Sequence, residues 1–412
     1  MIVLYDDARA RAFEPFATTR PLGEVRAGAL LGRERWAMFF GASADAFIGG
    51  SHLAHFAEFD APGAASLPLP AGAWLVNTRA LPVPVAVPLP GAPGADVIRI
   101  DGQVAAICLR VPLQDRCVLD GSLTLEALVP SDAVEAAVTG VWLHDTWDII
   151  RHLTTQLQDD IPAIASTLGI RALSNAHSLA GVVIRGDAPV FVEDGATIEP
   201  FVVFDTSSGP VLLRRGATVH AFTRVVGPCY VGLQSTLMTD RIAASSIGDM
   251  CRVHGELSMS VFIGHANKGH DGFVGHSILG RWVNLGAGTT TSNLKNSYGT
   301  VAMWSTSGVR DTGLQFAGTF FGDHVKTGIG LRLTTGCVLG AGTNVMDAMP
   351  PKVVAPFSWG TGAPYEVFAT DKFLETATRM MARRGIALDA HHRRFIDDVI
   401  THALADSRWP SR

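Results

Sequence analysis

Histidines at positions 254, 265, 270 and 276 are followed by Asn284, Asn293, Lys295 and Tyr298. A neutral imidazole takes a proton from an attacking amine or hydroxyl near pH 7, because its pKa lies close to the working pH. Asparagine and lysine supply hydrogen bonds to hydroxyl groups and charge for a phosphate. His270 lies in GHDG, between glycines that leave the backbone open to a ligand. Backbone N–H groups along Gly286-Ala287-Gly288 can steady a tetrahedral oxyanion. Together these are the parts needed for acyl transfer. The plainer alternative is that the histidines are outward polar residues of a scaffold.

The elements that position these residues are legible in the spacing. Ile263-Gly264, Val274-Gly275, Leu279-Gly280 and Leu285-Gly286 place glycines after aliphatic residues at nearly six-residue intervals. Val219, Val225, Val231 and Leu237 step by six, as do Phe321, Thr327, Leu333, Leu339 and Val345. This is the pattern of a hexapeptide β-solenoid, in which three short strands close one triangular coil and aliphatic side chains stack inside. The period extends from about 170 to 355. Proline-rich MPPKVVAPFSWG then leaves it, and residues 365 to 407 return to helical spacing around Phe373, Leu374, Ile396 and Val399. These helices are expected to cap the last coil or a neighbouring subunit.

The chain has 412 residues, 47% hydrophobic and 17% charged, enough for two or three packed domains. Its 43 glycines suit many tight turns. A net charge of −5 gives no reason to expect nucleic acid or an anionic membrane as partner. The five cysteines are scattered without a CxxC, as buried thiols of a reducing compartment would be. No apolar segment follows Met1 to suggest a signal peptide, and no run is long enough to span a bilayer. A cytoplasmic location is expected.

In the N-terminal part, Ile2 to Tyr5 read as a buried strand ending at Asp6 and Asp7. Ala17 to Trp36 lead into a helical spacing that includes Val25, Leu30 and Leu31, so a loop carrying Arg20, with Arg26 close behind, can hold a phosphate. A solvated charged helix is the other reading. Residues 61 to 95 are rich in Pro, Ala and Gly, and Thr139 to Ile164 end in an amphipathic helix.

Two families share these motifs. His265 and His270 have a spacing also found in zinc-binding solenoids that resemble γ-class carbonic anhydrases, in which His254 or His276 would have to supply the third ligand. More extensively, GHDGFVGHSILGRWVNLGAGTTTSNLKN resembles the acetyltransferase half of the bifunctional enzymes that make UDP-N-acetylglucosamine. DD…TRPLGEVRAG…RERW at the start adds a resemblance to a divergent branch. That branch is described as GlcNAc-1-phosphate uridyltransferase/glucosamine-1-phosphate acetyltransferase-like.

The resemblance implies an α/β nucleotidyltransferase-like domain over residues 1–165, a left-handed parallel β-helix over 170–358 and C-terminal helices over 365–412. It makes His270 the general base that deprotonates a sugar amine attacking acetyl-CoA. Asn284 and Asn293 would hold the sugar 1-phosphate, while Ala287 and Ala341 line the groove for the CoA arm. Sites in such solenoids lie between subunits, so a homotrimer is implied. Two positions depart from the family: its tyrosine after the histidine is Phe273, and its CoA-contacting serine is Ile329. The N-terminal half lacks the glycine-rich loop that cradles a nucleoside triphosphate and keeps only Thr19-Arg20-Pro21. Nucleotidyl transfer there would need Mg²⁺, with Asp6 and Asp7 as candidate ligands and Asn77 and Thr78 where the family has its metal-binding aspartate. A non-catalytic, regulatory trimeric solenoid is the alternative to an enzyme.

Overall fold

The computed structural model describes residues 1–84, 94–173 and 180–412. Part of the Pro-rich stretch (85–93) and of the first solenoid residues (174–179) lies outside the described residues. Two compact units emerge: Met1–Val25, Leu30–Asp148 and Ala387–His402 form one, and Arg26–Ala29, Ile149–Ile386 and Ala403–Arg412 the other.

The first unit is built on a seven-stranded sheet of β1 (Ile2–Tyr5), β2 (Ala46–Ile48), β3 (Gly63–Ala64), β4 (Trp74–Asn77), β5 (Val97–Ile100), β6 (Gln103–Cys108) and β7 (Glu135–Ala137). Their spatial order is β7-β5-β6-β4-β1-β2-β3. β1 lies between β2 and β4, parallel to both, while β6 runs antiparallel to β4 and β5. Val3, Tyr5, Leu75, Val97 and Ile107 make its core, as expected for central strands buried on both faces. The helix expected around Val25 to Leu31 begins only at Gly32 and runs to Phe40 (α1). Gly28 takes a positive φ of 68°, which turns the chain before a helix can start.

The second unit is a parallel β-solenoid preceded by α2 (Leu153–Thr167). Its first face is a nine-stranded sheet from Val190–Val192 to Val353–Val354. The second face runs from Val183–Arg185 through Val274–Gly275. The third runs from Thr197–Ile198 through Asn267–Lys268 and, across Asn284, to Lys326–Thr327 and Asn344–Val345. Inward positions of the third face read Val219, Leu237, Val253, Lys268, then Leu285, Thr327 and Val345. Valine, leucine and isoleucine stack into one continuous interior cluster, which is what makes two-residue strands stable. Gly286 is obligatory at its corner, because a Cβ there would sit 2.3 Å from the Gly328 carbonyl.

Between Thr290–Thr291 and Thr319–Phe321 the chain leaves the coil and forms an antiparallel hairpin, Ala302–Ser305 with Gly308–Asp311. Helix α3 (Thr370–Ala382) packs on the solenoid, Phe373 meeting Phe357 with ring centroids 5.1 Å apart. Helix α4 (Ala390–Ala405) contributes mostly to the first unit, where Phe395 packs on Phe56. The segment 365–412 is thus divided between two cores. Cys229, Cys251 and Cys337 are buried, Cys108 is half-buried and Cys117 exposed, all as free thiols. No helix among the described residues is long and apolar enough to cross a membrane.

Candidate active site

His270 is exposed on the edge where the third face turns into the second. What holds that edge is Lys268, whose side chain points inward where the coils on either side carry Val253 and Leu285. It is 2% exposed, and its ammonium donates to the carbonyls of His254 at 2.7 Å and His270 at 2.6 Å. One cation thereby ties two successive corners. Burial lowers its pKa to about 8, partly opposed by Asp271 and Asp240. On the outside, Asp271 Oδ1 lies 3.4 Å from His254 Nδ1.

The same edge carries Ala287 one coil further on. Gly288 N–H donates to the Asp271 carbonyl at 3.0 Å, and Gly286 N–H to Thr327 Oγ1 at 3.0 Å. The Ala287 carbonyl accepts from Gly330 N–H at 2.7 Å, but no acceptor among the described residues takes the Ala287 N–H. Of the three amides in this turn, Ala287 alone is available to a ligand, on the coil next to an exposed imidazole. Ile329 follows on the next coil, 82% exposed.

Asn293 lies at the base of the hairpin excursion, on the opposite border of the second face. Its Nδ2 donates to His276 Nδ1 at 2.9 Å, and Phe316 stacks on the imidazole at 5.2 Å. Burial pushes the His276 pKa down to about 4, so this ring is neutral, with its proton on Nε2. Phe273 packs beside Asn293: a Cβ on Gly275 would meet Phe273 Cζ at 2.3 Å and Asn293 Nδ2 at 2.7 Å. His270 and Asn293 therefore bracket one narrow face across Phe273. Lys295 and Tyr298 lie further out on the excursion, half-buried and exposed respectively.

The remaining expected residues are placed elsewhere. Asn284 faces outward on the third face, where its Oδ1 accepts from Asn267 Nδ2 at 2.7 Å. Ala341 is fully buried on the edge between the first and third faces, its carbonyl accepting from Phe357 N–H at 2.7 Å. Arg20 is buried and paired with Glu58 at 2.7 Å. Arg26 is buried too, donating to the Ala29 carbonyl and lying over the Tyr230 ring at 5.4 Å. Both guanidiniums are engaged within the fold. Lys268 and the His276–Asn293 pair went unnoticed in the sequence. An ionisable residue where the six-residue register calls for an aliphatic one was the available signal for Lys268.

In the first unit, a cavity of about 420 Å³ opens at the carboxyl ends of β1 and β4, lined by Asp7, Arg9, Asn77, Arg79, Ser122 and Trp142 among others. Open α/β sheets take ligands at this end. Asp7 is clamped by Arg79, with nitrogen–oxygen distances of 2.6, 2.9 and 3.1 Å, and accepts from Asn77 Nδ2 at 2.9 Å. Burial pushes the Asp7 pKa up, but the Arg79 bonds and charge outweigh it and hold it below the usual range. Asp6 is buried and accepts from Thr78 Oγ1 at 2.6 Å and Leu22 N–H at 3.0 Å. Burial raises its pKa to about 6. One carboxylate neutralised by a guanidinium and another sealed from solvent do not make a Mg²⁺ site. Among the described residues, no three His, Cys, Asp or Glu side chains group as metal ligands, and His265 is buried against Trp282, ring centroids 4.5 Å apart.

Asp6 yields a direct test. Its native pKa lies above the unfolded value, so the cost of burying the carboxylate grows from pH 4 to 6 and is complete above that. Asp6→Asn should gain up to about 3 kcal/mol at pH 7 to 8 in urea unfolding. A loss would mean that Thr78 and Leu22 require the ionised oxygen.

Residues 2–167 match the family model described as sugar nucleotidyl transferase. The family resemblance read from the motifs therefore holds for this stretch. Over 203 residues the chain is 27% identical to the "Bifunctional protein GlmU" of Desulfitobacterium hafniense (strain DSM 10664 / DCB-2), covering 42% of this chain and 41% of that protein. Over 130 residues it is 31% identical to the protein of the same name from Bartonella quintana (strain Toulouse), covering 28% and 27%. The chain thus spans about two-fifths or less of the curated relatives it matches. A solved structure described as UDP-N-acetylglucosamine acyltransferase from Campylobacter jejuni is 11% identical, covering 57% of this chain and 98% of that one, with a TM-score of 0.19. A score that low carries no weight for fold or function.

Proposed function

We propose that the chain is a transferase of sugar-nucleotide synthesis whose left-handed solenoid acetylates an amino-sugar 1-phosphate from acetyl-CoA. The observation that carries this is the pairing, on one edge, of the exposed His270 imidazole with the unspent Ala287 N–H on the next coil. The sugar amine attacks the thioester carbonyl carbon while His270 takes the proton that the nitrogen sheds. Negative charge gathers on the carbonyl oxygen, where Ala287 N–H is the donor. The C–S bond then breaks, and His270 returns the proton to the departing thiolate. Asn293, oriented by neutral His276, holds the sugar phosphate across Phe273, with Lys295 and Tyr298 closing the outer side.

Asn284 belongs to the same reading only through a neighbouring subunit, since within one chain it occupies another face, whereas Ala341, fully buried in its own chain, offers the CoA arm no surface. A homotrimer supplies that neighbour. Exposed Phe201 and Phe222, stacked at 5.5 Å and 62% and 73% exposed, give the solenoid an apolar surface suited to such an interface. Light scattering should return three times the chain mass, and Phe222→Asp should shift it toward the monomer.

The match of residues 2–167 to a sugar nucleotidyl transferase model favours a second activity at the first-unit cavity: attack of a sugar 1-phosphate oxygen on the α-phosphorus of a nucleoside triphosphate, with pyrophosphate leaving and any Mg²⁺ brought by the triphosphate, since Asp6 and Asp7 do not hold one. The deciding experiment follows thiol release from acetyl-CoA with glucosamine 1-phosphate, alongside pyrophosphate release from UTP or dTTP with sugar 1-phosphates. Thiol release supports the acetyltransferase reading. Pyrophosphate release alone moves the function to the first unit. Silence in both from a folded trimer overturns both in favour of a regulatory solenoid.

A further inference from the structure

The third face of the solenoid carries an outward polar ladder over four successive coils: Arg252 pairs with Asn267, Asn267 with Asn284, and Asn284 with Lys326. Helix α3 lies against this ladder, with Met380 Sδ 3.4 Å from Lys326 Nζ and Phe373 5.5 Å from the His324 ring. Between them is a cavity of about 70 Å³, lined by Arg252, Asn267, Asn284, Met380, Arg383 and Arg384 among others.

Three arginines converge here without an acid. Among the described residues none of Arg252, Arg383 and Arg384 forms an ion pair, whereas Arg214, Arg224 and Arg241 on the same solenoid pair with Glu193, Asp205 and Glu256. A chain of net charge −5 has no general surplus of cations to explain the difference. The Arg384 pKa is lowered by burial first and then by the charges of Arg252 and Arg383. Arg383 and Arg384 end α3, where cations suit the helix dipole. That accounts for those two but not for Arg252, which comes from a solenoid strand. The Asn267–Asn284 bond also leaves the Asn284 amide donors directed away from Asn267.

Like charges held together at a cavity with amide donors are the complement of a compact, multiply charged anion. We propose that this cleft is a phosphate-binding site that takes the terminal phosphate group of a small molecule. The cavity admits one such group, with the rest of the ligand outside it. It stands on the third face and uses no part of the His270 edge; Asn284 is the one residue it shares with the acetyltransferase reading, and the three arginines carry it without that reading.

The test is calorimetric titration at low ionic strength with inorganic phosphate, glucosamine 1-phosphate and adenosine 3′,5′-bisphosphate. The proteins compared are the full-length wild type, Arg252→Gln, Arg384→Gln and the surface control Arg215→Gln. At least one of these ligands should bind wild type and Arg215→Gln alike. Affinity should fall roughly tenfold or more in Arg252→Gln and Arg384→Gln. The three arms distinguish free phosphate from a sugar or nucleotide source. Without ligand, Arg384→Gln should melt higher than wild type, because one of three repelling charges is gone. A merely structural arginine would lower the melting temperature instead. Failure of all three ligands to bind folded wild type, or binding unchanged in both variants, overturns the proposal.

Discussion

Replacing His270 by alanine should reduce thiol release from acetyl-CoA in the presence of glucosamine 1-phosphate by roughly 100- to 10,000-fold. The loss should fall on kcat, because the imidazole acts on a proton that moves only in the transition state. His270 is exposed and its ring makes no hydrogen bond, ion pair or ring contact among the described residues, so the fold should survive, with an unchanged melting temperature. That combination separates catalysis from scaffold. His276→Ala provides the contrast: it removes a half-buried ring against which Asn293 and Phe316 pack, so it should lower stability and raise KM for the sugar phosphate together. A His270→Ala enzyme with full thiol release would end the acetyltransferase mechanism derived above, whatever the solenoid then does.

Lys268→Met should change both stability and rate, in ways that a surface lysine would not. The native pKa of about 8 lies below the ordinary 10.5, so the folded state sheds the proton first. Below pH 8 the cost of burying the ammonium is fully present. It disappears as pH rises toward 10.5, and the stability contributed by this side chain grows by about 3 kcal/mol across that window. Buried thiols work against this trend, since Cys229 and Cys251 are pushed up to about 12 and the unfolded chain ionises them first. The difference between wild type and Lys268→Met cancels them. Unfolding free energies by urea at pH 7, 9 and 10.5 should therefore show wild type gaining on the variant as pH rises. A flat difference would mean that the ammonium is not desolvated. The variant also removes the tie between the His254 and His270 corners, and thiol release should fall about tenfold through misplacement of the base. Lys268 is thus a positioning residue. Loss of stability without loss of rate would restrict it to the fold.

These two residues illustrate how differently sequence and structure contribute. Period-six spacing of aliphatic residues dictates the solenoid, because a side chain every sixth position can only be buried if the chain turns back on itself three times per coil. The same register shows that His270 and Ala287 fall at corners rather than on strands, since the intervening aliphatic positions count them off. Strand β1 and the acidic pair after it were equally legible, an apolar run giving way abruptly to charge. None of this reveals which groups are spent. Arg20 and Arg26 look like phosphate ligands in a sequence, yet Glu58 and Tyr230 engage them from positions far along the chain. Asp7 looks like a metal ligand until Arg79 is seen across it. Ion pairing, desolvation and the freedom of an N–H depend on distances between residues remote in sequence, and those exist only once the coils have stacked. The Ala287 amide and the three arginines beside α3, which find no acceptor and no ion pair among the described residues, and the neutral ring of His276 are properties of the packed molecule. Their residue types were present in the chain, but their chemistry was decided by what folding placed, or failed to place, within a few ångströms of them.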